Sequence, residues 1–536
     1  MTQKTLKLSV ALFILVIGVI LTGLKPGLKV SSRHSISVYS SYVPRERSVD
    51  DDGLVSPSQA AQVAEKGLRF TERTVGAGAN NSKEELRNQR LILEPEDRGD
   101  TDEAGQEANL DRKGPNAERA TYVIYINWDG FAYRYYEWAN APGAPGTPAL
   151  NYLASRGAVF TNAYNGFPGT TVPMQTSIVT GAWPAVHGNI HVYYDLVENV
   201  VKQMNRENLS ETIGEVVAER GLSSASVQQF ALNGRGTWHD NPRHLYVQPS
   251  GPWHTRVAEA IRILKQEEVA AGNGQKVIVP EIPRFLAIYA DDLDATGHNL
   301  GIGYGFSLAL SYEAWKENLI KKLAYMDSGL GLLIDALREL GILDRTAIIL
   351  TSDHGMSHFE GKTSLPDVLE TLSTLGYTVQ VLSQGEKASP NTAIVLVGGN
   401  LSLQFYFRRE IALDEYKGII KALEEKPYFG GYMSMDELAK AGAHPDFGSL
   451  YIWAKPPFHF SDRDLFLRVG GNHNSGDLSS RHVFMLFSGA GIRQGIIVEE
   501  PVAIIDVSPT ISYLLDVRQP ADSQGRILEE AIARHR

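Results

Sequence analysis

The 536-residue chain contains no cysteine. Disulfides, thiolate metal sites and a cysteine nucleophile are therefore excluded. Any transition-metal site has to be built from His, Asp and Glu, a nitrogen and oxygen donor set that suits zinc or manganese. Positive charge is also short: 51 Lys and Arg stand against 62 Asp and Glu, a net charge of -11. That balance disfavours a general nucleic-acid binder, because phosphate backbones attract cationic surfaces. It leaves a phosphate-handling enzyme open, since bound cations reverse the local field. Long apolar runs are rare as well. One uncharged stretch, Leu8 to Leu24, follows Lys4 and Lys7 and has roughly the minimum length to span a bilayer. Residues 1–30 are therefore expected to be a membrane anchor or a signal peptide. The protein is accordingly expected to be exported, either held at a membrane by this helix or periplasmic or secreted after cleavage.

From Ser31 to about Glu118 the sequence is polar, with Asp50-Asp51-Asp52 and Glu94-Pro95-Glu96-Asp97. Such a segment buries too little apolar surface to offset its ordering entropy. Residues 31–118 read as a largely disordered spacer between membrane and catalytic domain, with short helices near Ser58–Lys66 and Ser82–Leu93.

The character changes at Thr121. Thr121–Ile126 is a short, nearly continuous apolar run, and similar runs recur at Arg284–Tyr289, Thr346–Leu350, Thr392–Val397 and His482–Phe487. Strands buried on both faces read this way. Between them Leu319, Leu323, Met326, Leu330, Leu333, Leu337 and Leu340 recur at helical spacing, and Gly341 stops that helix. Alternating strands and helices predict an α/β fold, a mostly parallel sheet sandwiched by helices. The long interval between His354 and His473 predicts a smaller α+β subdomain, around residues 360–470, inserted into a domain spanning 119–536.

Ligands of open α/β sheets bind beyond the carboxyl ends of the strands. Three predicted strands run into acidic residues there: Asp129-Gly130, Asp291-Asp292-Leu293-Asp294 and Asp353-His354-Gly355. Asp294 and His298 stand four residues apart, a spacing that lets both reach one ion. Taken alone, each of these describes a solvated loop or a helix cap equally well. The glycine-rich loop around His473 is similarly open. Thr171-Val172-Pro173 is more specific. Pro173 suits the first turn of a helix, which places Thr171 at an N-terminus that stabilises anions, although an N-cap threonine would look the same.

Together these segments resemble the alkaline phosphatase superfamily, and within it the nucleotide pyrophosphatase/phosphodiesterase branch. The matching stretches are Asp129-Gly130-Phe131, Thr171-Val172-Pro173, Ser177 to Gly181, Pro184 to Gly188, Asp294 to His298, Thr351 to Met356, and His473. The resemblance implies two divalent metal ions, Zn2+ or Mn2+. Asp129, Asp353, His354 and the Thr171 oxygen would hold one; Asp294, His298 and His473 would hold the other. Thr171 would be the nucleophile of a phosphodiesterase or pyrophosphatase acting on a small-molecule phosphoester, nucleotide-type substrates favoured, through a covalent phosphothreonine. The chain departs from that branch in two places. Met174-Gln175 replace an Asn-His pair after Pro173, and the Asn that donates to a phosphoryl oxygen is represented by His191 or Asn189. Diesterase specificity is thus open, with a phosphomonoesterase or phosphonate hydrolase as the alternative. A sulfatase is disfavoured, because Thr171-Val172-Pro173-Met174-Gln175-Thr176 lacks the Cys or Ser and the Arg of that motif. A catalytically dead, membrane-tethered binding protein would lack one of the seven residues, and all seven are present.

Overall fold

A computed structural model describes residues 119–299, 307–461 and 469–533. The expected anchor and spacer lie outside the described residues. Among the described residues, no helix is long and apolar enough to cross a membrane.

Nine strands form the main sheet: β1 (Tyr122–Trp128), β2 (Gly157–Tyr164), β3 (Ser224–Val227), β4 (His244–Val247), β5 (Phe285–Ala290), β6 (Thr346–Thr351), β7 (His482–Gly489), β8 (Ile496–Val498) and β9 (Val502–Ala503). Their order is β8-β2-β7-β6-β1-β5-β3-β4, and β9 also pairs with β2. Only β7 runs against the others; the remaining pairs are parallel. The sheet is thus mostly parallel, as expected, and β1 lies at its centre between β5 and β6.

Central position explains the composition of these strands. Along β1, Ile124, Ile126 and Trp128 enter one core, while Val123 and Tyr125 enter the other. Both faces are covered, so apolar residues run continuously instead of alternating with polar ones. Each fully buried aliphatic or aromatic side chain contributes roughly 1.5–3 kcal/mol by leaving water. The first core is covered by the helices Trp253–Leu264 and Tyr312–Glu339. The second is covered by helix Thr171–Thr180 and by Val507–Leu515. The long helix stops at Gly341, whose φ of +66° suits a residue without a Cβ.

A second, five-stranded sheet interrupts the main one. It is ordered Val379–Val381, Ile394–Gly399, Ser402–Phe407, Leu450–Ala454 and Phe429–Ser434. The helices Leu365–Thr374 and Leu413–Glu424 share its own core. The run at Thr392–Val397 therefore belongs to this sheet and not to the main one. Its other face packs on the hairpin of Val192–Asp195 and Val200–Gln203.

Candidate active site at the carboxyl edge of the sheet

Three strand ends bring the acidic residues together. Asp129 follows β1, and Asp353-His354 follow β6, the parallel neighbour of β1. Ser352 fastens the two ends: its Oγ accepts from the Phe131 amide at 2.8 Å and donates to the His354 carbonyl at 2.8 Å. After β5 the chain turns at once into the short helix Asp292–Gly297, so Asp294 and His298 emerge one turn apart. His473 follows the strand Val469–Asn472, which pairs antiparallel with Ser357–Glu360. Gly130 permits the close approach of these pieces. It takes a φ of +74°, and a Cβ there would stand 2.9 Å from the Asp294 Cα.

The result is two triads, Asp129/Asp353/His354 and Asp294/His298/His473. In each, one ligand-type atom from every residue lies within 4.8 Å of the others. In the first, His354 Nε2 is 3.1 Å from Asp129 Oδ1 and 3.7 Å from Asp353 Oδ2. In the second, Asp294 Oδ1 is 3.2 Å from His298 Nε2 and 3.7 Å from His473 Nε2. The His354 and His473 rings stack at 3.7 Å between centroids, joining the triads. Thr171 is the first residue of helix Thr171–Thr180, and its Oγ1 is 3.2 Å from His354 Nε2. Thr170 occupies the N-cap but makes no side-chain capping bond, so the capping alternative does not describe Thr171.

Three observations show that these residues fit divalent cations. The Nδ1 atoms of His298, His354 and His473 face the carbonyls of Gly471, Gly355 and Gly169 at 3.1, 2.9 and 3.0 Å. A carbonyl only accepts, so each Nδ1 carries a proton, and Nε2 is the nitrogen left to face an ion. One carboxylate oxygen of each of Asp129, Asp294 and Asp353 is buried and faces only imidazole nitrogens of its own triad. Finally, the charges are crowded. Burial, then the nearby charge of Asp129, pushes the Asp353 carboxyl well above its usual range. Burial opposes protonation of His354, but Asp353 and Asp129 outweigh it and raise the imidazole to about 10. Asp129 is itself held low by His354 against its burial. Packed carboxylates without counter-charge take up protons; a dication removes that need.

The two candidate substrate-binding residues separate. Asn189 is fully buried and engaged: its Nδ2 donates to the Glu207 carbonyl at 3.0 Å, and its Oδ1 accepts from the His191 amide at 3.1 Å. His191 adopts a φ of +65°, and its Nδ1 is buried without a partner. It lies within electrostatic reach of His473. Burial holds its imidazole below the ordinary value, so it is neutral.

Two contributors escape a reading of the sequence. Tyr289 Oη donates to Asp129 Oδ2 at 2.5 Å, and burial followed by the charge of Asp129 keeps this phenol protonated. In the sequence Tyr289 is indistinguishable from a core strand residue. Gln175, at the position where the family resemblance breaks, donates to Asn127 Oδ1 at 2.6 Å and accepts from Gln229 at 2.8 Å. It fastens the helix Thr171–Thr180 to the strand that Asp129 follows.

Comparison with known proteins supplies the family. A model of the type I phosphodiesterase / nucleotide pyrophosphatase family matches residues 123–465. The chain belongs to this family. Human ectonucleotide pyrophosphatase/phosphodiesterase family member 1 is 27% identical over 249 residues, which are 44% of this chain and 23% of that protein. The alkaline phosphatase PafA of Elizabethkingia meningoseptica is 23% identical over 284 residues, 49% of each chain. This chain thus spans less than half the length of either relative. Among solved structures, murine ectonucleotide pyrophosphatase/phosphodiesterase 5, an inactive threonine-to-alanine variant in complex with AMP, superposes with a TM-score of 0.52 at 19% identity. The match covers 74% of this chain and 96% of that one. The fold is accordingly alkaline phosphatase-like.

Proposed function

We propose that the protein is a metal-dependent hydrolase of phosphodiester or pyrophosphate bonds, with Thr171 as nucleophile. The observation that carries this reading is the Thr171 hydroxyl at a helix N-terminus, 3.2 Å from His354 Nε2, in contact with one triad and joined through stacked imidazoles to the other. Asp129, Asp353, His354 and the Thr171 oxygen would hold one divalent cation, and Asp294, His298 and His473 a second; zinc fits the donors, and manganese fits them too. When bound, such a pair lowers the pKa of the attacking hydroxyl and neutralises charge on the phosphoryl and leaving oxygens.

The chain's own residues then do the following. The Thr171 oxygen attacks phosphorus in line, the bond to the leaving oxygen breaks, and phosphothreonine forms. Water attacks the same phosphorus on the opposite side and releases the Thr171 hydroxyl and a phosphate or phosphate monoester. The unpaired amides at the start of the helix face the developing anion throughout. Membrane attachment through residues 1–30, export, and nucleotide-type substrates belong to the same proposal. The AMP complex of an inactive threonine-to-alanine variant of the murine neighbour supports the last of these. The similarity to PafA favours a second reading, a phosphomonoesterase built on the same machinery.

The decisive experiment is hydrolysis of bis(4-nitrophenyl) phosphate and of 4-nitrophenyl phosphate by the full chain supplied with zinc. The first reading expects the larger kcat/KM for the bis-ester; the reverse preference supports the monoesterase. In both, Thr171→Ala lowers turnover by about 10⁴-fold or more while zinc content is retained. Substantial activity in that variant rejects the nucleophile.

A further inference from the structure

The helix Trp253–Leu264 grips the turn that follows β5 at two points. Its first amide, on Trp253, donates to Asp292 Oδ2 at 2.9 Å. One turn further on, the Arg256 guanidinium reaches the same stretch: Nη1 donates to the Tyr289 carbonyl at 3.1 Å and Nη2 to Asp291 Oδ1 at 2.6 Å. Arg256 is only 4% exposed. Asp291 stands at the N-cap of helix Asp292–Gly297 but makes no side-chain capping bond there; its carboxylate turns to Arg256 instead. Lys322 Nζ, on helix Tyr312–Glu339, comes within 3.7 Å of Asp292 Oδ1. Two cations and two carboxylates thus meet at this turn.

Both triads take their geometry from this turn. Tyr289 sends its hydroxyl to Asp129 of the first, and Asp294 and His298 of the second follow along the short helix. The base of the grip is in turn registered on β1. The Trp253 ring meets Trp128 edge-on at 5.4 Å between centroids, Trp128 directly precedes Asp129, and Trp253 Nε1 donates to the Met326 carbonyl at 2.8 Å. Stability alone does not call for a charged grip. Exchanging a buried ion pair for well-packed apolar side chains often leaves stability equal or higher, and Arg256 Nε is buried without a partner. What the guanidinium adds is direction, because a planar group with several fixed donors holds a carbonyl and a carboxylate at once.

We propose that Arg256 is a positioning residue of this site: by clamping the Tyr289 carbonyl and the Asp291 carboxylate to helix Trp253–Leu264, it sets where Asp294 and His298 stand relative to Asp129, Asp353 and His354. It touches neither triad and acts through the turn. This deepens the metal-dependent phosphoesterase reading and rests on it for the ions that the triads hold.

Zinc binding tests the clamp apart from turnover. Zinc is titrated calorimetrically into the metal-free full chain, and the step that disappears in His298→Ala belongs to the second triad. Arg256→Lys keeps the charge and loses the planar fork. It should weaken the second-triad step about tenfold, leave the other step within about twofold, and lower kcat for bis(4-nitrophenyl) phosphate about tenfold at unchanged KM. Asp291→Ala alters a side chain that is 24% exposed and should weaken the same step about threefold; it decides the matter if Arg256→Lys does not fold. Asp291→Asn keeps an oxygen for Nη2 and should bind both ions as the parent does. An unaltered second-triad step in either folded variant overturns the clamp. Equal weakening of both steps also overturns it, because a loss of general stability acts on both triads alike. Failure of the phosphoesterase reading looks different: the zinc steps shift as expected, but the parent turns over no nitrophenyl ester. A parent that takes up no zinc rejects both.

Discussion

Asp129, Asp353 and His354 expose 0–2% of their side-chain surface, whereas Asp294, His298 and His473 expose 13–20%. The first triad hangs on the ends of two adjacent central strands whose register is fixed by parallel pairing from Tyr122 to Asn127. The second is assembled from a six-residue helix and the end of a four-residue strand. The first triad has two aspartates and one histidine and the second one aspartate and two histidines, so they differ in carboxylate charge as well as in support and access. The buried triad is rigid and shielded, which strengthens every charge interaction within it. The outer triad is the more exposed to solvent.

This contrast makes the buried triad the more consequential to damage. Asp353→Asn should lower kcat by about 10³-fold or more and reduce bound zinc to about one ion per chain, read by elemental analysis. After chelation, the variant should melt at a higher temperature than the chelated parent, because one crowded buried carboxylate has been removed. Equal melting temperatures would mean that the crowding carries no energetic weight. The outer triad should yield first to a chelator. Limiting chelator should remove one ion quickly and the second slowly, and His298→Ala should abolish the fast phase while costing about 10²-fold in kcat. A single phase in the parent would erase the proposed distinction.

The same contrast explains what could be read from the sequence. β1, β5 and β6 are apolar along their length and end in Asp, so both the strands and the acidic edge were legible. β2, β3 and β4 were not. Gly157 to Tyr164 and Ser224 to Val227 carry small or polar residues at most positions, and His244 to Val247 is only four residues long; they become strands through pairing with already formed neighbours. The run at His482–Phe487 was legible as a strand, but its antiparallel direction was not, because polarity depends on where the chain re-enters the sheet. The run at Thr392–Val397 looked like the others and folds into a different sheet. Grouping of the ligand-type residues came from the family resemblance; spacing alone left each motif ambiguous. His191 and Asn189 look alike in the sequence, and only coordinates show that both Asn189 side-chain atoms are engaged.

Gly130 sits between the two triads, directly after Asp129 and against the backbone of Asp294. Gly130→Ala forces a Cβ into the 2.9 Å space beside the Asp294 Cα and penalises the positive φ. The triads should part by a fraction of an ångström. A shift of that size at a two-ion site should cost about 10²-fold in kcat, with both ions still bound. If the ions are lost instead, the glycine serves assembly of the ligands and not their separation.

The smallest effect should come from Tyr289→Phe, which tests the buried triad alone. The ring against Phe230 is kept, and only the hydrogen bond to Asp129 Oδ2 disappears. That bond orients the carboxylate so that its other oxygen faces His354 Nε2 at 3.1 Å. Hydrogen bonds behind a ligand typically govern metal affinity by 10–100-fold. Zinc affinity of the inner triad should therefore fall about tenfold, while that of the outer triad, which Tyr289 does not touch among the described residues, should stay constant. A phenol that merely filled space would leave both affinities alone, because phenylalanine fills the same space. A fall in both would show that the stacked imidazoles of His354 and His473 transmit the displacement, and the triads would then have to be treated as one cooperative unit.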